Sequence, residues 1–324
     1  MFTPAIKVNT YSQGDINLWK SANIILLHVK IKNNISTCKL IYVKSHDRAD
    51  IIKNMIEDTL KSHTVNDLEI YINLMDKPIN NPFILHFSRT TECMVNTIPN
   101  FSFYNWNDVS SDNFFTIKQN ILNTNIDWDN KIDKIMWSGV DSSNIRIRMN
   151  NFVKSYEIYE YNLLTDVNRK FFPITEHSKY KYLLDFEGIG YSGRFPYLAL
   201  TGSCVILIEN SNTNRDYKLY YDNEFQENIH YLKVRYNSND TDESIHNNIL
   251  SKIKENDCKK IGAACLEQAI NVFTLENILQ YMANILNYYS SNFNPTTKEL
   301  NPYIPYGVNY ITDKIKIKLR NKFR

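Results

Sequence analysis

Residues 185–195 read DFEGIGYSGRF, and Gly188, Gly190 and Gly193 fall in the pattern G-x-G-x-x-G. The apolar run YKYLL precedes them, and FPYLAL, short and helix-like, follows. A strand, a glycine turn and a helix start together present backbone N–H groups to a phosphate, and the helix dipole favours an anion there. Two kinds of phosphate ligand need different neighbours. A dinucleotide wants an acidic residue roughly 20 positions on, for the ribose hydroxyls. Glu209, closing the run CVILIE, lies 21 positions after Gly188. A diphosphate leaving group wants fixed positive charge, and Arg194 directly follows the last glycine. Against the dinucleotide, helix room ends at Thr201-Gly202, and Asp185 and Glu187 stand where such a turn is usually apolar. On spacing alone the stretch stays open between a dinucleotide site, another phosphate site and a plain structural turn.

Other chemistry-bearing residues are more scattered. Five cysteines (Cys38, Cys93, Cys204, Cys258, Cys265) lack C-x-x-C spacing. They read as free thiols of a reducing compartment rather than a disulfide frame or a zinc site. The seven histidines make no H-E-x-x-H or similar pattern, so no metal is expected from them. The C-terminal KIKIKLRNKFR sets a basic residue at every second position from Lys314 to Arg324. As a strand it has a basic face for an anionic membrane or partner, and as a frayed terminus it is simply solvated.

The elements that must position these residues begin with an ordinary globular composition, 43% hydrophobic and 22% charged over 324 residues. That length implies two domains, each with its own core. A formal net charge of +2 gives no reason to expect nucleic acid. The first twenty residues lack an apolar core, and ANIILLHV is too short to span a membrane, so a cytoplasmic protein is expected. The heavy use of Asn, Ile, Lys and Tyr matches AT-rich codons and carries no functional message.

NIILLHVKI, CKLIYVKS, LEIYINL and PFILHFS read as strands, and RADIIKNMIEDTLKSH as an amphipathic helix with Ile51, Ile52, Met55, Ile56 and Leu60 on one face. FVKSYEIYEYNLL is read as helical within a connecting stretch, residues 151–175. YKYLLDF, CVILIE and IHYLKVRY read as strands of the second half. Helices are expected at DESIHNNILSKIKEN, KIGAACLEQAINVF and TLENILQYMANILNYY. Strands alternating with helices imply an α/β protein with mainly parallel sheets in both halves.

The stretch EHSKYKYLLDFEGIGYSGRFPYLALTGSCVILIE resembles the donor-binding core of glycosyltransferase family 90, which holds the protein O-glucosyltransferases and the fungal capsule-associated proteins. That pattern is E-H-x-x-Y-K-Y-L, a glycine, a loop ending S-x-R-F, a helix, C-G-S and an apolar strand. Glu176, His177, Tyr180, Lys181, Tyr182, Leu183, Gly188, Ser192, Arg194, Phe195, Gly202 and Ser203 match it. DLEIYINLMDKP is similar to the family's D-L-E-x-x-I-N-x-R-D-x-P, and FILHFSRTTECMVNTIPNFSFYNW to its F-S-F-S-K-T block. WSGVDSSNIR is similar to R-G-S-x-T-x-x-x-R. The likeness runs from about residue 66 to 290.

The resemblance implies a two-domain GT-B fold, with two Rossmann-like domains facing each other across a cleft. These would be an N-terminal acceptor-side domain (1–150), a nucleotide-sugar domain (151–300) and a basic tail (301–324). It implies an inverting, metal-independent transfer of a hexose or pentose, glucose or xylose favoured, from a UDP-sugar to a hydroxyl of a glycan or protein. Asp76 takes the place of the catalytic base. Arg146 and Arg194 take those of the diphosphate ligands, and Ile189, Gly190, Tyr191, Ser192, Gly193 and Arg194 form the nucleotide-sugar loop. The chemistry agrees: an attacking hydroxyl needs a base, and a departing diphosphate needs fixed cations, which the planar fork of Arg suits.

Each assignment has a plainer reading. Asp76 also suits a turn before Pro78, Arg148 competes with Arg146, and Glu92 is the next carboxylate to consider as base. The DWD at Asp127–Asp129 mimics the metal-binding D-x-D of another glycosyltransferase class, a pattern common by chance. Departures are specific. Met75 stands where the family has Arg before its Asp, Ser138 replaces the R-G-S arginine, and Ser178 and Thr201 replace cysteines. Two alternatives stay open: an NAD(P)-dependent oxidoreductase using the glycine turn, and a catalytically inactive, sugar-nucleotide-binding member of the family.

Overall fold

The computed structural model describes residues 24–292 apart from 42, 82, 105–112, 165–171 and 212–216. The basic tail therefore lies outside the described residues. Two compact units divide the chain, one made of Met1–Phe101 with Ile278–Arg324 and the other of Ser102–Asn277. The division falls at 101/102 and the chain returns to the first unit at 278, so the expected boundaries at 150 and 300 are corrected. The reason is pairing: the strand Ile132–Val140, placed in the N-terminal domain from sequence, hydrogen-bonds to strands of the second unit on both its edges.

In the first unit, β1 (Leu26–Lys32) and β2 (Ile35–Ile41) form a hairpin paired from Leu26↔Ile41 to Lys32↔Ile35. Its two-residue turn is Asn33-Asn34, with φ of 52° and 59°. Asparagine tolerates this left-handed region, and positive φ at both central residues gives the turn whose twist suits a hairpin. β3 (Leu68–Asn73) pairs antiparallel with β1, and the two-residue β4 (Ile84–Leu85) pairs parallel with β3. The order is β2-β1-β3-β4. Mainly parallel pairing thus fails here, because a two-residue turn can only return the chain antiparallel. α1 (Asp47–Ser62) buries Ile51, Ile52, Met55, Ile56 and Leu60, the face read from the sequence. His46 caps its start by accepting from the Arg48 N–H, with Asp47 and Asp50 in the first turn.

The second unit opens with α2 (Phe114–Asn123) and carries a five-stranded sheet of order β6-β5-β7-β8-β9, parallel at every pairing. The strands are β5 (Ile132–Val140), β6 (Tyr159–Leu164), β7 (Tyr180–Phe186), β8 (Cys204–Asn210) and β9 (Leu232–Tyr236). α3 (Asn144–Val153) joins β5 to β6, and the single turn α4 (Phe195–Ala199) lies between β7 and β8. α5 (Asp242–Glu255) and α6 (Cys258–Val272) follow the last strand. α7 (Leu275–Asn292) begins at the end of this unit, and from Ile278 it belongs to the first, where Asn96 donates to the Tyr289 hydroxyl at 3.0 Å.

The helix expected over 152–164 is corrected. α3 stops at Val153 and residues 159–164 are the edge strand β6. Tyrosines favour a pleated, half-buried surface, and Tyr161 stacks on Trp137 of β5 at 4.5 Å between ring centroids. The core beneath joins Ile135 and Trp137 to Leu184, Phe186, Ile206, Ile208 and Val234, all buried. No helix among the described residues is long and apolar enough to cross a membrane.

Two glycines fix how α6 meets the sheet. Gly202 has φ +67°, and a Cβ on Gly262 would stand 2.6 Å from the Gly202 carbonyl oxygen. Backbone cannot yield as a flexible side chain can, so Gly262→Ala forces the helix away. Overpacking of this kind costs about 1–3 kcal/mol. Thermal unfolding of Gly262→Ala is expected to show that loss, and a melting temperature at or above wild type would contradict the close approach.

Candidate functional site

β6 lies on one side of β5 and β7 on the other, so the strand order reverses between β5 and β7. In open parallel sheets, ligands bind outside the carboxyl ends of the strands at that point. The two loops that leave it are residues 141–143, after β5, and 187–194, the glycine turn after β7. Ser143, at the start of α3, makes no capping bond to its own helix and donates instead to the Glu187 carbonyl at 3.0 Å. The Gly188 N–H donates to the Gly190 carbonyl at 3.1 Å, closing the turn on itself. A Cβ on Gly188 would stand 3.0 Å from Ser142 Oγ and 3.5 Å from Arg146 Nη2. The glycine therefore lets the β7 loop lie against the β5 loop and its arginine.

Arg146 and Arg194 meet at this point. The Arg146 guanidinium carbon is 5.4 Å from the Trp137 ring centroid and that of Arg194 is 5.2 Å, within cation–π range. Arg146 donates to the Val140 carbonyl at 3.2 Å, to Ser142 Oγ at 2.8 Å and to the Phe186 carbonyl at 2.9 Å. It ties the end of β5 to the end of β7. Arg194 donates to the Ser138 carbonyl at 2.5 Å and to Asp185 Oδ1 at 3.0 Å, where Ser192 Oγ also donates at 2.6 Å. Asp185 is 4% exposed. The Nε atoms of both arginines and the Trp137 indole N–H are buried without a hydrogen-bond partner among the described residues.

The electrostatics follow. Burial, then the charge of Arg194, pulls the Arg146 guanidinium down to about 10. Burial, then Arg194 again, pulls His177 down to about 4. Asp185 is bonded to Arg194 alone and reaches Arg146 only through space, which leaves the three groups with an excess of positive charge. Arg148 is a separate matter: it bonds to Asp242 and to the Asp240 carbonyl, so it does not compete for this place.

The nucleotide-sugar loop of the sequence reading lies here in its entirety. Ile189 is half exposed, Gly190, Tyr191 and Gly193 are buried, and Ser192 and Arg194 close on Asp185. Alongside is a pocket lined by Asp185, Tyr191, Ser192, Phe195, Tyr221 and Lys233, among others. Glu209 also lines it, but Lys233 at 3.4 Å and Arg235 at 3.2 Å engage the carboxylate that a dinucleotide ribose would need. α4 is a single five-residue turn, so it contributes little of the helix dipole expected at Phe195. The DWD carboxylates lie just before β5, at the opposite end of the strands from the glycine turn, with Asp129 paired to Lys259 at 2.7 Å.

Asp76 belongs to the first unit, in the loop that follows β3. Asn73, at the end of that strand and fully buried, accepts from the Met75 N–H at 3.0 Å and donates to the Lys77 carbonyl at 2.8 Å. Ser88 Oγ donates to the Asp76 carbonyl at 3.1 Å. Arg48 of α1 donates to Asp76 Oδ1 at 2.7 Å, and the carboxylate side chain stays 31% exposed. Asn73 and Ser88 thus hold the backbone of the loop while the carboxylate stays partly exposed. Glu92, the other carboxylate considered, is exposed in the turn between Thr90 and Cys93.

The sequence model of glycosyl transferase family 90 matches residues 15–322. The chain belongs to glycosyltransferase family 90. Protein 179R of Invertebrate iridescent virus 6, described as uncharacterized, is 27% identical over 189 residues, 55% of this chain and 15% of that protein. Protein O-glucosyltransferase 2 of Danio rerio is 26% identical over 275 residues, 74% of this chain and 50% of its own length. Protein O-glucosyltransferase 1 of Rattus norvegicus is 28% identical over 130 residues, 39% of this chain and 31% of its own. The chain thus spans half or less of each of these relatives. A solved pneumococcal O-GlcNAc transferase, GtfA with UDP and GlcNAc, overlaps 48% of the chain at 15% identity with a TM-score of 0.31, too little to carry a structural argument.

Within this family 90 chain, sequence reasoning missed Asp185, Trp137, Asn73 and Arg48. Asp185 left a signal, being an acid at a strand end where a Rossmann turn is apolar. Arg48 left none, since its contact with Asp76 spans 28 positions.

Two outcomes follow for the crevice. Arg194→Ala strands Asp185, and breaking a buried ion pair from one side costs about 3–5 kcal/mol. A large drop in melting temperature is expected, smaller when Asp185→Asn is added, and equal melting of the single and double variants would show the pair to be energetically idle. For His177, the unfolded chain takes a proton near 6.5 and the folded one only near 4. The stability is fully present above 6.5 and declines as pH falls toward 4. His86 of the first unit, pushed down to about 3 by burial, acts in the same sense. A melting profile of His177→Asn between pH 6.5 and 4.5 is therefore expected to be shallower than wild type, with the remaining slope due to groups such as His86.

Proposed function

We propose that this chain is an inverting, metal-independent glycosyltransferase of GT-B type. It moves glucose or xylose from a UDP-sugar to a hydroxyl of a glycan or protein. The observation that carries the reading is the Arg146–Arg194 pair at the reversal of strand order, a buried cation beside a largely buried one, with the buried carboxylate of Asp185 bonded to Arg194. Like charges held together in a partly buried crevice favour an anion of matching charge, and a nucleoside diphosphate supplies one. The uncapped start of α3, with Ser143 diverted to Glu187, adds backbone N–H groups on the same side. The aromatic pocket beside Tyr191 and Phe195 takes the nucleoside.

In the reaction, the acceptor hydroxyl oxygen forms a bond to C1 of the sugar on the face opposite the diphosphate. The bond from C1 to the diphosphate oxygen breaks, and UDP leaves with that electron pair. Asp76 takes the hydroxyl proton. Arg146 and Arg194 hold the charge that gathers on the leaving group, and a diphosphate next to Arg194 competes with Asp185 for its fork. The names of the relatives, protein O-glucosyltransferases, support the choice of sugar.

UDP binding measured by calorimetry is expected to be unchanged by EDTA, because arginines stand where other enzymes use a metal. Loss on chelation, restored by manganese, would overturn metal independence and point to Asp127 and Asp129. NADH raising the melting temperature where UDP does not would overturn the donor class. Asp76→Asn keeps shape and hydrogen-bonding ability but cannot take a proton. It is expected to bind UDP-glucose as wild type does and to lose about 10²–10⁴-fold in turnover. Turnover within about twofold of wild type would remove Asp76 as the base.

A further inference from the structure

We propose that Arg48 is a positioning residue for Asp76, supplying from α1 the cation that orients its carboxylate. The inference rests on the reading of Asp76 as the base. Met75 cannot do this work: its side chain is apolar and 39% exposed, and only its backbone is engaged, by Asn73. Arg48 reaches the same loop from 28 positions away. One nitrogen, Nη1, donates both to the Leu74 carbonyl at 2.8 Å and to Asp76 Oδ1 at 2.7 Å.

The guanidinium is itself held in place. Its carbon lies 4.1 Å from the ring centroid of Phe101, and the Arg48 side chain is 18% exposed. Its backbone sits in the first turn of α1, where His46 accepts from the Arg48 N–H. A planar group clamped by an aromatic face loses little further freedom when it binds a carboxylate. The Asp76 backbone is fixed by Asn73 and Ser88. Neither touches its side-chain oxygens in the contacts that hold the loop, so carboxylate orientation falls to Arg48. With Oδ1 engaged, Oδ2 is the oxygen presented to a hydroxyl. The orienting charge therefore comes from the helix beside the loop and not from position 75.

The test uses the full chain and release of UDP from UDP-glucose, with water as acceptor. Arg48→Met is expected to lower kcat tenfold or more while the KM for UDP-glucose stays within about twofold. Adding Met75→Arg returns a charge to the position the family uses and is expected to restore at least a third of wild-type kcat. In the Asp76→Asn background, Arg48→Met should change kcat no further. Should Arg48→Met fail to fold, Arg48→Lys carries the test, because an ammonium keeps the charge without the planar clamp. Its expected result is a several-fold drop in kcat at constant KM. Wild-type kcat in Arg48→Met, or in Arg48→Lys where that is the only folded variant, overturns the proposal, as does a parallel loss in kcat and donor affinity. An active Asp76→Asn enzyme would sink the reading of the base instead, and the two failures are separate measurements.

Discussion

Two guanidinium groups flank one indole ring at the point where the strand order of the second unit reverses, and the architecture there depends on keeping them together. Like charges repel, and burial makes each costlier to keep ionised. The fold meets that cost with carbonyl oxygens at the ends of β5 and β7, a serine hydroxyl, the ring of Trp137 and the carboxylate of Asp185. Arg146 gives its donors to two backbone carbonyls and the Ser142 hydroxyl, so it is a clasp between two strand ends. Arg194 divides its donors between the Ser138 carbonyl and the Asp185 carboxylate, and so joins the end of β5 to the glycine turn.

The glycine at 188 follows from the same constraint. Gly188 lets one loop lie against Ser142 and Arg146, and the Gly188–Gly190 hydrogen bond folds the segment so that Ser192 and Arg194 both reach Asp185. A side chain at 188 would press on the clasp itself. The pattern that first suggested a dinucleotide is thus explained by what the turn must avoid and what it must return to. Glu209, which encouraged that reading by its spacing, is held between Lys233 and Arg235.

How much of this was legible depended on whether the information is local. The glycine turn, the short helix and the buried strand YKYLLDF were readable because backbone freedom and apolar runs write themselves into adjacent residues. The apolar face of α1 was readable from its period. β6 was not, because its tyrosines and glutamate give no clean apolar alternation and it is an edge strand, recognised only once Tyr161 is seen to stack on Trp137. The antiparallel hairpin turns on Asn33 and Asn34, whose left-handed backbone is an allowed but not a required state for asparagine. The unit boundary was misplaced because β5 pairs with strands that follow it, and pairing partners are not encoded by spacing. Asp76, Arg146 and Arg194 were reached through the family resemblance, whereas Asp185 and Arg48 needed coordinates.

Arg48 shows how a carboxylate can be held by an element far from it in sequence. What a carboxylate base requires is a fixed direction, and a cation at the right distance provides it from any element that can reach. The loop 74–77 is tied by Asn73 and Ser88, residues within the family's own blocks, so its backbone keeps its course when position 75 changes. α1 then runs past the loop with its first turn fixed by the His46 cap and the acids Asp47 and Asp50. A long, flexible side chain leaving that turn is brought to a single arrangement by Phe101 on one face and by Leu74 and Asp76 at its tip. Position 75 itself is apolar, and the charge beside Asp76 is that of Arg48, whose fixed points are an aromatic ring, a helix cap and the Leu74 carbonyl.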